Sequence, residues 1–169
     1  ILRRLYAARG VQSDDQLQYT LKHLASPMQL RGIDRAVELL AEAVAQKQRV
    51  MVLGDFDADG ATSTAVAMLG LSMLGVAAID FRVPSRFSDG YGLTPGIIHR
   101  LQDEGDLPDL LVTVDNGISA IEGVRAAREL GIKVVITDHH LAGDELPDAD
   151  AIVNPNQPGC PFLSKNAAG

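Results

Sequence analysis

Three aspartates at alternate positions, Asp55, Asp57 and Asp59, are the residues in this sequence most suited to chemistry. They directly follow an apolar run at residues 50–53 and a single glycine. A short apolar run that ends at a glycine is typical of a buried parallel strand. Three carboxylates packed this closely repel one another unless a cation neutralises them. The pattern therefore predicts a divalent metal site at the end of a buried strand.

Two later segments place similar side chains after apolar runs. Asp115 lies within VTVDNG, and Asp138, His139 and His140 lie within VITDHH. Parallel strands present their carboxyl ends on one edge of the sheet, where ligands bind in open α/β folds. We therefore expect five aspartates and two histidines to meet in one site. Oxygen and imidazole ligands without thiolates suit Mn²⁺ or Mg²⁺ better than structural zinc.

Two other interpretations of the aspartate run can be weighed against its context. The run matches the first half of an EF-hand loop, but Val66 stands where the loop requires glutamate. The segment from Asp57 to Thr62 also resembles the nucleophile loop of haloacid-dehalogenase-type phosphatases, in which one aspartate attacks phosphorus. That family has no need of the histidine pair, and nothing here clearly supplies its lysine. Both interpretations are much weaker than a metal site built from several strand ends.

The elements that must position these residues follow from periodicity and turn chemistry. A strand–helix rhythm begins at residue 49 and predicts an α/β fold, with a doubly wound, mainly parallel sheet and helices on both faces. The predicted strands are 49–54, 78–83, 110–114, 133–137 and 151–153, and the predicted helices are 60–74, one capped by Thr94 before Pro95, and one capped by Ser119 with Glu122.

The first part of the chain predicts helices without chemical residues. One helix is expected to begin at a cap formed by Ser13 and to end at Pro27. A second is expected at 33–46, with Ile33, Val37, Leu40, Ala41 and Val44 on its buried face. We therefore divide the chain into an N-terminal helical cover, residues 1–47, and a metal-binding domain, residues 48–169.

Composition restricts the class of protein. The 169 residues carry a formal net charge of −7, which argues against general nucleic-acid affinity, but the predicted site itself holds five of the acids. A single cysteine fits a reducing compartment. The longest apolar stretch, residues 65–79, is too short and too often interrupted to span a bilayer. With no signal peptide at residues 1–10, we expect a soluble, cytoplasmic protein without a membrane partner.

Four segments in this order resemble the motifs of the DHH phosphoesterase superfamily, which is named for the triplet Asp138-His139-His140. They are GDFDADGATSTA, SRFSDGYGL, VTVDNGIS and TDHH. Their amino-acid sequences are most similar to the motifs of the branch that degrades single-stranded DNA from the 5′ end and releases 5′-mononucleotides in DNA repair and recombination. The resemblance implies a hydrolase with single-stranded DNA as its partner. Single-strand-binding proteins or helicases as further partners cannot be read from the sequence.

The resemblance also implies roles for individual residues. Asp57 and Asp59 match the paired metal ligands of the first motif, Asp115 the carboxylate shared by two ions, and His139 a ligating histidine. His140 matches the histidine that faces the substrate phosphate. Two such ions roughly 3.5–4 Å apart clamp the attacking and leaving oxygens of an in-line displacement.

Three further positions complete the predicted site. Other branches of the superfamily have a ligating histidine at the position of Leu53, and we expect Asp55 to compensate as a metal ligand. Asp138 is expected to accept hydrogen bonds from its neighbours and to orient them. Arg86 is a candidate contact for the substrate phosphate, because its planar fork matches phosphate oxygens. Asp115, Asp138, His139 and His140 are thus the predicted catalytic residues.

Three outcomes remain open at this point. The same site on a different substrate would make an oligonucleotide or nucleotide phosphatase, or a pyrophosphatase. A non-catalytic scaffold with this fold is the third alternative. Because the family has a further aspartate ligand and a nucleic-acid clamp that do not appear before Gly169, we expect this segment to be part of a longer protein and weak or inactive alone.

Overall fold

A computed structural model of the chain describes residues 1–18, 20, 24–85, 87 and 89–165. The helices are α1 Leu2–Ala8, α2 Ile33–Ala45, α3 Ala58–Met73, α4 Pro95–Asp103 and α5 Ile121–Glu129. The strands are β1 Arg49–Leu53, β2 Ala78–Arg82, β3 Leu110–Val114, β4 Lys133–Thr137 and β5 Ala151–Val153. The predicted alternation of strands and helices from residue 49 onwards is confirmed.

All five strands are parallel, in the order β2-β1-β3-β4-β5. The strand order reverses between β1 and β3. The connection after β1 leads to β2 at one edge of the sheet, and the connection after β3 leads to β4 in the opposite direction. In doubly wound folds, this switch point opens a crevice at the carboxyl ends of the two strands. The topology therefore places the ends of β1, β3 and β4 next to one another.

The alternation of side chains along the strands divides the core into two layers. Val50 and Val52 of β1 pack on one face of the sheet with α2 and α3, whereas Met51 and Leu53 pack on the other face with α4 and α5. Every residue of β3 is buried, as expected for a central strand covered on both faces. Helices on both faces are thus confirmed, and the strand ends rest on a rigid core.

The predicted strand bounds agree closely with the structure, whereas the predicted start of one helix was wrong. β1 and β2 end one residue earlier than expected, and β3, β4 and β5 have the expected bounds. Thr94 caps α4 as predicted, through its bond from the N–H of Ile97. The predicted capping box at Ser119 does not form, because a turn from Gly117 to Ala120 delays the start of α5 to Ile121.

The N-terminal part departs most from expectation. In the described residues of 13–26, only the short 3-10 segment Asp14–Leu17 is helical, and the expected α-helix is absent there. α1 was not predicted, and it buries none of its residues. α2 forms as expected, and Ile33, Leu40 and Val44 of its predicted face pack partly buried against the core. Its buried residues are Ala36, Leu39 and Ala43, whereas Val37 remains 52% exposed. None of the described helices has the length and apolar character that crossing a membrane requires.

Candidate metal centre

The turn after β1 brings the first aspartates to the carboxyl edge of the sheet. Asp57 is the N-cap of α3, and its Oδ1 accepts a hydrogen bond of 2.9 Å from the N–H of Gly60. That bond holds the pKa of Asp57 below its usual value, against the effect of burial. A Cβ at Gly60 would lie 2.5 Å from the carbonyl oxygen of Asp55, so only glycine allows this close approach. The glycine that closes the run therefore fixes the position of the carboxylates.

The turn after β3 holds Asp115 in an unusual backbone conformation. Its φ of +61° lies in the left-handed region, which aspartate tolerates better than most residues. The side-chain amide of Asn116 stabilises the turn by donating to the carbonyl oxygens of Leu53 and Val114 at 3.0 and 2.9 Å. Gly117 follows with a φ of +118°, and a Cβ there would lie 2.6 Å from Oγ1 of Thr113. The sequence Asp-Asn-Gly thus encodes a tight turn with a buried carboxylate.

The turn after β4 surrounds Asp138 with hydrogen-bond donors. Its Oδ2 accepts from the N–H of Ile118 at 2.9 Å. Its Oδ1 accepts from the N–H of His139 and of His140, at 2.7 and 3.1 Å, and from Nδ1 of His140 at 2.7 Å. Both oxygens are therefore occupied by neighbouring residues of the protein.

Side chains from the three turns form two groups of possible metal ligands. One contains Asp115, His139 and His140, and the other contains Asp55, Asp57 and Asp115. Within each group, one ligand atom per residue lies within 4.8 Å of the others. The two groups share Asp115, which is the arrangement that a carboxylate between two cations requires.

Burial leaves Asp115 in an electrostatically costly state. Its side chain is 1% exposed, and neither carboxylate oxygen forms a hydrogen bond with the described residues. Nε2 of His139 lies 2.9 Å from Oδ1 of Asp115 and 3.6 Å from Oδ2 of Asp59. Burial, followed by the charges of Asp59 and Asp57, raises the pKa of Asp115 to about 6. A buried carboxylate beside other carboxylates is costly unless a cation pairs with it, so this donor set fits a divalent ion.

The histidine beside Asp138 has a different environment. Burial alone would lower the pKa of His140, but its hydrogen bond to Asp138 and the charges of Asp138 and Asp115 together raise it. Oη of Tyr91 lies 3.3 Å from Nε2 of His140 and 3.4 Å from the carbonyl oxygen of Asp115. Burial and the surrounding aspartates raise the pKa of Tyr91, so its hydroxyl remains protonated. Tyr91 thus connects the turns after β3 and β4.

The structure brings most of the predicted residues to one place, with some differences. Asp59 lies near His139 but in neither group, and His140, expected to face the phosphate, belongs to one of them. Asp138, which was counted among the acids of the metal site, lies outside both groups. Arg86 lies outside the described residues.

Several residues near the site were not predicted to contribute. Leu53, at the position of a histidine in other branches, is wholly buried in the core. The carboxamides of Asn154 and Asn156 donate to the carbonyl oxygens of His140 and His139. An asparagine beside a proline is typical of an ordinary turn, so the sequence carried no signal for these contacts beyond their position after a strand.

Comparison with known proteins supplies independent information about this centre. The family model described as "DHH family, N-terminal domain" matches residues 49–169. Over 169 residues, the chain is 53% identical to the single-stranded-DNA-specific exonuclease RecJ of Salmonella typhimurium and 52% identical to that of Escherichia coli. In both cases, the match covers 100% of this chain and 29% of the relative. The chain therefore spans less than a third of the length of these relatives.

Solved structures show the same similarity. A crystal structure of exonuclease RecJ bound to manganese superposes with a TM-score of 0.70 at 36% identity, covering 80% of this chain and 34% of that protein. RecJ from Thermus thermophilus in complex with Mn²⁺ gives a TM-score of 0.68 at 33% identity, covering 92% and 21%. With the family model matching most of its length, the chain belongs to the DHH family.

Proposed function

We propose that this chain is the metal-binding part of a phosphodiesterase that degrades single-stranded DNA from its 5′ end and releases 5′-mononucleotides. The observation that carries the proposal is Asp115, a buried carboxylate that forms no hydrogen bond with the described residues and is shared by two groups of ligand atoms. Its support comes from the relatives, which are named single-stranded-DNA-specific exonucleases and match along all of this chain. DNA repair and recombination, in the cytoplasm, are the proposed setting.

The proposed ligands are Asp55, Asp57, Asp59, Asp115 and His139, for two ions of Mn²⁺ or Mg²⁺. Carboxylate oxygens with a single imidazole are the donor set that these cations accept. When bound, such ions supply positive charge beside the scissile phosphate and activate water as a nucleophile. Manganese is favoured by two RecJ structures that contain it.

The remaining side chains are assigned to the substrate. His140 is 47% exposed and hydrogen-bonded to Asp138, which raises its pKa and favours the protonated imidazole. A protonated histidine donates a charge-assisted hydrogen bond to a phosphate oxygen. Asp138 holds the ring through Nδ1, and Nε2, which lies 3.3 Å from Oη of Tyr91, is proposed to contact the substrate. Arg86 is retained as a second proposed phosphate contact.

We also propose a division of the chain into two parts. Residues 48–169 would form the catalytic domain, and residues 1–47 its helical cover, in which α2 packs on the sheet beside β5. The relatives are more than three times as long as this chain, and we propose that the nucleic-acid clamp and a further metal ligand lie outside it. This segment alone should therefore be weak or inactive.

The proposal is tested by nuclease assays on a full-length protein that contains this chain. With Mn²⁺, we expect release of 5′-mononucleotides from long single strands labelled at the 5′ end, and loss of release in Asp115→Ala with unchanged far-UV circular dichroism. Parallel assays with dinucleotides and with pyrophosphate separate an exonuclease from a small-substrate phosphatase. Full turnover in the folded Asp115→Ala protein would contradict the proposal.

A further inference from the structure

The turn that carries His139 and His140 lacks regular secondary structure, although the site depends on its geometry. It follows β4 directly. Among the described residues, neither the N–H nor the C=O group of His139 or of His140 forms a backbone–backbone hydrogen bond. Backbone N–H and C=O groups that are removed from water are almost always paired with some partner. Among the described residues, the hydrogen bonds to these backbone groups come instead from side chains.

One side of the turn is held by Asp138. Its Oδ1 accepts the N–H groups of both histidines, at 2.7 and 3.1 Å. Because a carboxylate has only acceptors, it can hold these donors but offers nothing to the two carbonyl groups. The carbonyl oxygens need donors from elsewhere.

The other side is held by two asparagines that follow β5. Nδ2 of Asn154 donates to the carbonyl oxygen of His140 at 3.0 Å, and Nδ2 of Asn156 donates to that of His139 at 2.5 Å. The two asparagines are joined, because Oδ1 of Asn154 accepts the N–H of Asn156 at 2.6 Å. Asn154 is 0% exposed, so its carboxamide is shielded from water, whereas Asn156 is partly buried.

We propose that Asn154 and Asn156 are positioning residues that set the orientation of His139 and His140. Bonds to both N–H and C=O groups fix each peptide plane, and the peptide planes determine the direction in which the imidazole rings leave the backbone. The inference rests on the proposed function, since it gives these histidines their purpose. Functional groups need supporting contacts of this kind to remain within about 0.5 Å of their productive geometry.

Asparagine is the residue type that this arrangement requires. At Asn154, the carboxamide accepts one hydrogen bond and donates another at the same time, which neither aspartate nor alanine can do. An aspartate would keep the bond from the N–H of Asn156 but would place a carboxylate against a carbonyl oxygen. The contacts thus explain why carboxamides, and not acids, follow β5.

Gln157 provides a matched control in the same segment. Its Nε2 donates to the carbonyl oxygens of Arg31 and Ile152, at 2.9 and 2.8 Å, and the residue is 6% exposed. It makes the same type of bond as the asparagines but does not contact the histidines through it. A general loosening of the segment would therefore appear in Gln157→Ala as well.

The test compares Asn156→Ala, Asn156→Asp and Gln157→Ala with the unchanged chain. The dissociation constant for Mn²⁺ is measured by electron paramagnetic resonance, and unfolding is followed in urea so that only folded protein is compared. Loss of a residue that orients a ligand typically weakens metal binding about 10–100-fold. We expect at least about 10-fold weaker binding in both Asn156 variants and unchanged binding in Gln157→Ala.

A second measurement does not depend on the metal. In the metal-free chain, the imidazole NMR resonances of His139, whose carbonyl oxygen accepts from Asn156, should move in the Asn156 variants and stay in place in Gln157→Ala. Unchanged resonances in Asn156→Ala, or equal shifts in Gln157→Ala, would overturn the inference. If the unchanged chain bound no Mn²⁺, the proposed function would fail, and the resonances would still decide the role of the asparagines.

Discussion

Adjacent strands β3 and β4 are each followed directly by an aspartate, yet the two carboxylates have opposite environments. Asp138 receives four hydrogen bonds from neighbouring N–H groups and an imidazole, whereas Asp115 receives none from the described residues. Both side chains are 1% exposed. Equal burial therefore does not mean an equal role, because the available donors decide what each carboxylate can bind.

This difference distinguishes a metal ligand, Asp115, from a residue that orients the ligands, Asp138. A carboxylate whose oxygens accept hydrogen bonds from the protein orients its neighbours. A buried carboxylate whose oxygens accept none attracts a cation. The sequence motif shows only that both residues follow an apolar strand. Substitutions in one turn at a time therefore measure the two environments separately.

The largest effect is expected from Asp115→Asn. The substitution keeps the shape and tolerates the positive φ, but it removes the charge that a cation needs. Mn²⁺ binding should weaken by more than about 100-fold, beyond the range seen for residues that only support ligands. The metal-free protein should become more stable at pH 7, by up to about 3 kcal/mol, because a buried and repelled charge is lost. Calorimetric titration and urea unfolding measure the two effects.

Asp138→Ala should lower the unfolding free energy and should weaken metal binding less than Asp115→Asn does. It leaves the buried N–H groups of Ile118, His139 and His140 without their acceptor, and we expect a loss of about 2–4 kcal/mol in unfolding free energy. Metal affinity should fall about 10–100-fold, through disorder of the histidines. A variant that kept its stability while losing all metal would assign Asp138 to the ligands instead.

The pH dependence of stability sharpens the comparison further. The pKa of Asp115 is raised in the folded state to about 6, so its contribution to stability is fully present below its unfolded value near 4 and is lost as pH rises to about 6. Without metal, the unfolding free energy of the unchanged chain should therefore fall, relative to that of Asp115→Asn, between pH 4 and 6. His140 also has a raised pKa, to which the charge of Asp115 contributes, but its contribution to stability is lost only as pH rises above its usual value of 6.5, outside this window. Parallel curves would exclude a perturbed Asp115.

The smallest effect is expected from Tyr91→Phe. The ring and its edge contact with Phe56 remain, and only the long hydroxyl contacts with His140 and Asp115 disappear. Unfolding free energy should change by less than about 1 kcal/mol. Urea unfolding checks this value, and a loss comparable to that in Asp138→Ala would show that Tyr91 holds the two turns together.

The sequence was sufficient to predict the sheet and the location of the site. Apolar runs of β-favouring residues that end at Gly or Asp gave the bounds of β3, β4 and β5, because buried parallel strands carry one continuous signal. The buried faces of the helices were harder to predict. Three residues of the predicted face of α2 pack partly buried against the core, namely Ile33, Leu40 and Val44. The prediction missed the buried Ala36 and Ala43, whose small side chains permit close packing.

The contacts within the site could not be predicted from local sequence. The opposite environments of Asp115 and Asp138 depend on donors from other turns, such as the N–H of Ile118, and on the left-handed backbone at Asp115. Asn154 and Asn156 reach the histidines only because β5 lies beside β4 in the sheet. Tertiary neighbours, and not residue types, determine these roles.

The most direct test of the account is the location of Mn²⁺ in crystals of this chain, recorded by anomalous scattering. We predict anomalous peaks in contact with the carboxylate of Asp115, with His139 or Asp57 as a further ligand, and none at Asp138. A metal ion held by Asp138, or an ion bound elsewhere while Asp115 remains without a cation, would contradict the account.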